Sequence, residues 1–240
     1  MVRPVLTSWL VKAGYVPSER PDDFSALDTL IFEDKYHDPS GQEYLISYGI
    51  IDSGGHRTGE VYDWCKRTGI FASKGARGRK AQPVTWNNQE FFPHNKRPIP
   101  GGLKLYTLDT HFHKDLLAGK LEIDATDPGA WVLHSGYNEI QRELMRKSPE
   151  VALENGLATY VKHFTAEYRD EKGLWQCPKG KRNDLWDCAQ MGISLARYLG
   201  FHKMVSEKRQ QGEQLGQHQT DLLQSTSSIS RPSWFNNRRR

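Results

Sequence analysis

The spacing of apolar residues changes period along this chain, and the changes mark its elements. From Gln42 to Ile51 the run QEYLISYGII crowds aromatic and β-branched residues together, which predicts a largely buried strand. It ends on a single acid, Asp52, followed by Ser53-Gly54-Gly55. Between Thr58 and Arg67, Val61, Trp64 and Cys65 recur at helical spacing, with Thr58 placed to start a short helix and Gly69 to close it. Ile70 to Ser73 returns as a strand and stops at Lys74. A strand–turn–helix–strand unit implies a layered α/β domain with parallel strand pairing.

The same reading extends along the chain. Residues 1–40 hold apolar clusters broken by PSERPDDF and DPSG, predicting a helix, a loop and a second helix around Ala26 to Phe32. Gly75 to Gly102 is rich in Gly, Pro, Asn and basic residues and reads as irregular. Leu103–Leu108 and Trp131–His134 read as strands, and Phe112–Leu121, Asn138–Met145 and Pro149–His163 as helical, with Ser148 before Pro149 suiting a capped start. Gly173–Cys177 is a brief strand or hairpin arm. A clear helix follows from Asp184 to Leu199, its predicted core stripe being Leu185, Cys188, Ala189, Gly192, Ile193, Leu195, Ala196 and Leu199. From about Ser206 the sequence is Gln-, Ser- and Arg-rich and lacks the apolar density to fold alone. The expected organisation is an N-terminal helical and loop segment (1–40), an α/β domain (41–204) and a flexible polar and basic tail (205–240).

Composition narrows the class. With 240 residues, 37% of them hydrophobic, the chain suffices for one substantial domain, and its mean hydropathy of -0.72 fits a moderate core with exposed loops. The net charge of +4 is a mild bias toward anionic partners. No run approaches the ~18 apolar residues of a membrane span, and the amino terminus lacks a signal-peptide core. Cys65, Cys177 and Cys188 have no paired spacing, which predicts buried thiols in a reducing cytosol rather than a disulfide framework or zinc knuckle.

Several residues could carry chemistry. Asp52 lies at the carboxyl end of a predicted parallel strand, where open α/β sheets place their sites, and the glycines after it leave the carboxylate uncovered. An Asx-turn would use the same residue. Asp184 and Asp187 share one face in the first turn of the last helix, behind Asn183 as a plausible cap and the basic loop Lys179-Gly180-Lys181-Arg182. Acids there complement the helix dipole, and they equally suit a divalent metal beside a phosphate. Lys74 would neighbour Asp52 if the two strands pair, and either binds phosphate or is a strand-end charge. Arg77, Arg79 and Lys80 continue the basic character, suited to sequence-independent phosphate contacts. GARGRK is not a P-loop, and no GxSxG elbow or dinucleotide fingerprint is present. His111 and His113 stand at alternate positions, but no HExxH or nearby Cys pair completes a zinc site, and a solvated loop is the simpler reading.

These residues together carry a resemblance. IIDSGGHRTGEVYDWCKR, IFASKG and NDLWDCAQMGISLARYLG, with LKLYTLDTHFHKDLLAGKL and YVKHFTAEYRDEKGLWQC between them, resemble the nuclease part of lambda-type phage terminase large subunits over roughly residues 25 to 200. The resemblance implies an RNase H-like mixed sheet flanked by helices, and a nuclease that cuts concatemeric viral DNA during packaging with Mg²⁺ or Mn²⁺. Asp52 matches the acid of the DSGG strand, Lys74 the lysine of the Lys-Gly pair, and Asp187 the acid closing the last motif; Asp184 stands where the family commonly has Glu. The implied metal ligands are Asp52, Asp184 and Asp187, with Lys74 beside them and Arg77, Arg79, Lys80, Lys181 and Arg182 toward DNA. Implied partners are double-stranded DNA, a small terminase subunit, a portal and a separate ATPase motor, with no membrane, in the cytoplasm of a host cell carrying the phage or prophage. The family's ATPase motor and a first nuclease strand with a further acid have no match here, so the expected domain is N-terminally truncated. The alternative is a non-catalytic remnant that binds DNA or packaging partners; in a third reading Asp22, Asp23 or Asp28 supplies a replacement acid.

Overall fold

Gly69 turns the chain sharply enough to bring two parallel strands side by side around a single short helix. In the computed structural model, which describes residues 6–15, 24–38, 40–133 and 157–203, this unit is β4 (Ile50–Asp52), α2 (Thr58–Thr68) and β5 (Phe71–Gly75). Gly69 sits at φ +76°, a left-handed conformation that costs a residue bearing Cβ, and its N–H closes the helix on Cys65 O. A long hairpin follows, β6 (Val84–Phe91) and β7 (Pro98–Leu108), and completes a sheet in the order β4-β5-β7-β6. The first three strands of that order are parallel and β6 is antiparallel to β7, so the sheet is mixed.

Helices cover both faces. Beneath the sheet, Val61, Trp64 and Cys65 of α2 bury against Ala72, Leu103 and Leu105, with α1 (Ser25–Phe32) packed outside them. Above it lies α5 (Asp184–Tyr198), whose Tyr198 ring meets Tyr106 edge-on at 5.0 Å between centroids. Successive strand residues point to opposite faces. Ile50, Asp52, Phe71 and Ser73 therefore face α5, while Ile51, Ala72 and Lys74 face the α2 side. Leu105 and Leu108 of β7 are 1% and 2% exposed, so this strand is buried on both faces, and each such leucine contributes about 1.5–3 kcal/mol.

The remaining elements flank this block. The short strands β1 (Ser8–Leu10) and β8 (Trp131–Leu133) pair in parallel, β2 (Tyr36–His37) with β3 (Glu43–Tyr44) and β9 (Tyr168–Arg169) with β10 (Trp175–Gln176) antiparallel. α3 (Thr110–Leu121) begins behind Asp109, whose Oδ1 accepts the Phe112 N–H at 2.9 Å, and α4 (Leu157–Phe164) precedes β9.

Four expectations change. The segment at Ser8–Leu10 is a strand, because a partner more than a hundred residues away supplies its backbone bonds. The predicted strand over 42–51 shrinks to Glu43–Tyr44 and Ile50–Asp52. The irregular stretch 75–102 contains β6, which is exposed on both faces and so shows no alternation to read. In α5 the buried residues are Leu185, Trp186, Gln190, Ser194 and Leu195, while Cys188 and Gly192 are exposed. Ser194 is accepted inside because its hydroxyl donates to the main-chain O of Gln190 at 2.8 Å, with the Gln190 Oε1 3.5 Å from the same hydroxyl. The predicted helix 138–145, the cap at Ser148, the acids Asp22 and Asp23 and the tail from 205 lie outside the described residues.

Candidate active site

Asp52 serves the turn and stands at the sheet's edge at once. Its Oδ1 accepts the Gly54 N–H at 3.0 Å, an Asx-turn, and a Cβ at Gly54 would lie 3.2 Å from the same oxygen. The next residue locks the strand end: Ser53 donates both its N–H (2.7 Å) and its hydroxyl (2.8 Å) to Ser73 O. Ser73, the register partner of Asp52, returns a bond from its hydroxyl to Ile51 O at 2.9 Å. Asp52 is thus mounted on a doubly tied strand end and remains exposed.

α5 is seated over this end by Met191, whose sulfur lies 3.7 Å from Ser73 Oγ. Asp187 is one helical turn before Met191 and on the same face. The intervening thiol of Cys188 is pushed up to about 11, first by desolvation and then by the charges of Asp187, Asp184 and Asp52. Three acids from two elements therefore bear on one sulfur.

The two acids of α5 are held differently. Asp187 Oδ1 pairs with Lys114 Nζ at 2.7 Å, and its Oδ2 accepts from Asn183 Nδ2 at 2.9 Å. Desolvation raises its carboxyl, opposed by the charge and hydrogen bond of Lys114. Asp184 Oδ2 instead accepts from Tyr15 (2.7 Å) and from Arg182 Nε (2.9 Å). Desolvation works to raise the Asp184 carboxyl, but these two hydrogen bonds and the Arg182 charge hold it below its ordinary value. The Tyr15 phenol is pushed up to about 12, by burial first and then by Asp184, and the Arg182 guanidinium lies 4.5 Å over its ring. Asn183 holds the predicted cap position, yet its amide is spent on Asp187 and Glu167, and His163 Nδ1 accepts the Leu185 N–H in its place at 3.2 Å.

The expected basic residues divide between exposed and paired positions. β4 and β5 pair as expected, but the neighbour of Asp52 in register is Ser73, and Lys74 lies exposed on the opposite face. Arg77 is exposed in the following turn, and the Lys80 N–H donates to Asp109 Oδ2 at 2.7 Å while the residue itself stays exposed. Arg79 is tied down: it pairs with Asp115 at 2.8 Å and donates to Gly173 O at 2.9 Å, which binds the loop to α3 and to the β9–β10 hairpin. Lys181 and Arg182 are exposed just before α5. Asp28 is engaged by the Trp64 indole (2.9 Å) and by Arg67 (3.0 Å), away from β4. His111 and His113 are helical rather than in a solvated loop: His113 is fully buried with Nδ1 2.8 Å from Asp109 O, and His111 Nδ1 accepts the Trp175 N–H at 3.1 Å.

Besides Tyr15 and His163, two residues around Asp187 escaped the sequence reading, Lys114 and Glu167. The lysine is buried, and its Nζ donates to both Glu167 oxygens at 2.7 and 2.9 Å. Both lie in stretches that carried the resemblance, but no local spacing joins them.

Among the described residues no group of three or more His, Cys, Asp or Glu is assembled as a metal cage. A cage is not what Mg²⁺ requires, since it keeps several waters and binds through one or two carboxylates plus substrate phosphates. Asp52 and Asp187 each present carboxylate oxygens, the donor type a hard divalent cation takes.

A family model, the endonuclease domain of the terminase large subunit gpA, matches residues 4–209. No curated protein and no solved structure matches the chain.

Proposed function

The chain belongs to the endonuclease-domain family of the terminase large subunit gpA, and from that premise we propose that it is a Mg²⁺- or Mn²⁺-dependent endonuclease acting on concatemeric viral DNA during packaging. The observation that carries the proposal is the seating of α5. Met191 rests on Ser73, which brings Asp187 over the strand end bearing Asp52. An RNase H-like relationship is consistent with a mixed sheet whose parallel strand β4 carries an acid at its carboxyl end.

In this reading Asp52 and Asp187 hold the ion, and Asp184, anchored by Tyr15 and Arg182, adds negative charge beside them. The bound ion would supply an activated water and charge neutralisation at the phosphate. Lys74, Arg77, Lys80 and Lys181 are exposed and reach toward DNA phosphates, contacts that position a duplex without reading its sequence. Arg182 and Arg79 shape the basic rim through Tyr15 and Asp115. Double-stranded DNA is the substrate in this reading, and the partners are the packaging machinery, a small terminase subunit, a portal and an ATPase motor, in the host-cell cytoplasm. The competing reading is a module that binds DNA without cutting it. It is favoured by the engagement of Asp184 with Tyr15 and Arg182, which leaves two acids for metal.

Supercoiled plasmid incubated with the purified chain and Mn²⁺ separates the two. The endonuclease reading predicts nicking that falls roughly 100-fold or more in Asp52→Ala, the scale expected when transition-state charge loses a main stabiliser. Salt-sensitive DNA binding without nicking would establish the second reading, and equal nicking by Asp52→Ala would remove Asp52 from the site.

A further inference from the structure

Lys114 is a buried cation placed between two carboxylates on different elements. Its side chain is 8% exposed and that of Glu167 is 4%, whereas Asp187 keeps 42% of its side chain in solvent. Glu167 is saturated from within, both oxygens accepting from Lys114 and Oε1 also from Asn183. Asp187 accepts one bond on each oxygen, from Lys114 and from Asn183, which leaves outward lone pairs on a carboxylate that can accept about four bonds.

We propose that Glu167 and Lys114 are positioning residues that brace Asp187 and preserve its negative charge for a divalent cation. A lysine alone beside Asp187 would fix the carboxylate but neutralise it. With Glu167 on its other side, the ammonium is shared, and the three groups together keep one net negative charge facing solvent through Asp187. Asn183 bridges the two carboxylates and sets their spacing, which explains why it gives up capping α5. Burying a lysine and a glutamate is costly unless each is paired, and here each offsets the cost of burying the other. Its functional consequence rests on the metal-dependent reading above.

Charge sharing makes opposite predictions for two substitutions. Glu167→Gln keeps shape and leaves Lys114 to neutralise Asp187, so Mn²⁺ affinity measured by calorimetry on the full chain should fall about 10–100-fold, the range for lost outer-shell partners. Lys114→Met leaves two uncompensated carboxylates, so affinity should hold or rise. In Lys114→Met with Glu167→Gln, the loss should be largely recovered. A purely structural role would instead weaken binding in both single variants and most in the double. Wild-type affinity in Glu167→Gln, or equal loss in both singles, overturns the proposal. If the wild-type chain binds no Mn²⁺, the metal reading above fails by itself. The brace is then decided by thermal melts: the double variant should be more stable than either single, and additive losses would overturn it.

Discussion

At the residue scale, His163 links the start of α5 to pH. Its Nδ1 must be unprotonated to accept the Leu185 N–H, and its Nε2 lies 3.4 Å from the Tyr15 hydroxyl. Desolvation holds the imidazole below its ordinary value, with Asp184 pulling it up and Arg182 pushing it down. The unfolded chain therefore takes up this proton first, near pH ~6.5, so the stability contributed by neutral His163 is complete above that value. It is lost as pH falls through the folded value. His113 and His202 are shifted the same way and by the same main cause. Melting temperature should thus decline between about pH 7 and pH 5, and His163→Asn should remove part of that slope while the other two histidines keep the rest. An unchanged slope in His163→Asn would contradict this account. Legibility differs sharply among single residues. Asp52 could be read because the glycines beside it announce a turn at a strand end. The pairing of Lys114 with Glu167 could not, because 53 residues separate them and neither lies in a charge pattern.

At the element scale, the β6–β7 hairpin depends on one backbone conformation. Gly102 sits at φ +67° with its face against the Asn88 amide, and an added Cβ would lie 2.4 Å from that side chain. Lys66 of α2 also donates to Gly102 O at 2.6 Å. Gly102→Ala should cost about 1–3 kcal/mol, read as a lower urea midpoint with unchanged slope. Gly41, at φ +83° with nothing within 4 Å, carries only the conformational strain and should cost less on replacement. The hairpin also shows why some elements were hidden. α2 and α3 bury a face, with Gly69 closing α2 and Asp109 capping α3, so local signals show them, although Thr58 does not cap α2 and its hydroxyl donates to Ser53 O and Gly55 O instead. β6 exposes Trp86, Asn87, Asn88 and Phe91 and is held by its pairing to β7, which residue spacing does not encode. The α5 stripe departs from its apolar spacing because two of its buried residues, Gln190 and Ser194, are polar, the Ser194 hydroxyl bonding back to the helix at the Gln190 main-chain O.

At the scale of the whole molecule, the layered α/β architecture follows from the β4–α2–β5 unit, and the sheet's carboxyl end gathers what the chain holds far apart. Asp52 comes from the first third of the sequence, Lys114 from α3, Glu167 from the turn before β9, and Asp187 from the last helix. The resemblance names Asp52, Asp184 and Asp187 together, and the packing of Met191 on Ser73 carries Asp187, one turn earlier on the same face, toward the sheet end, while Asp184 is turned to Tyr15 and Arg182. The central claim is therefore that β4 and α5 build one cation site between them. It is tested most directly by titrating Mn²⁺ into the isotope-labelled full chain and following amide signals broadened by the paramagnetic ion. Amides after Asp52 and amides at the start of α5 should broaden together at low Mn²⁺, and Asp187→Asn should abolish both effects. Broadening confined to one of the two elements, or centred elsewhere, would contradict it.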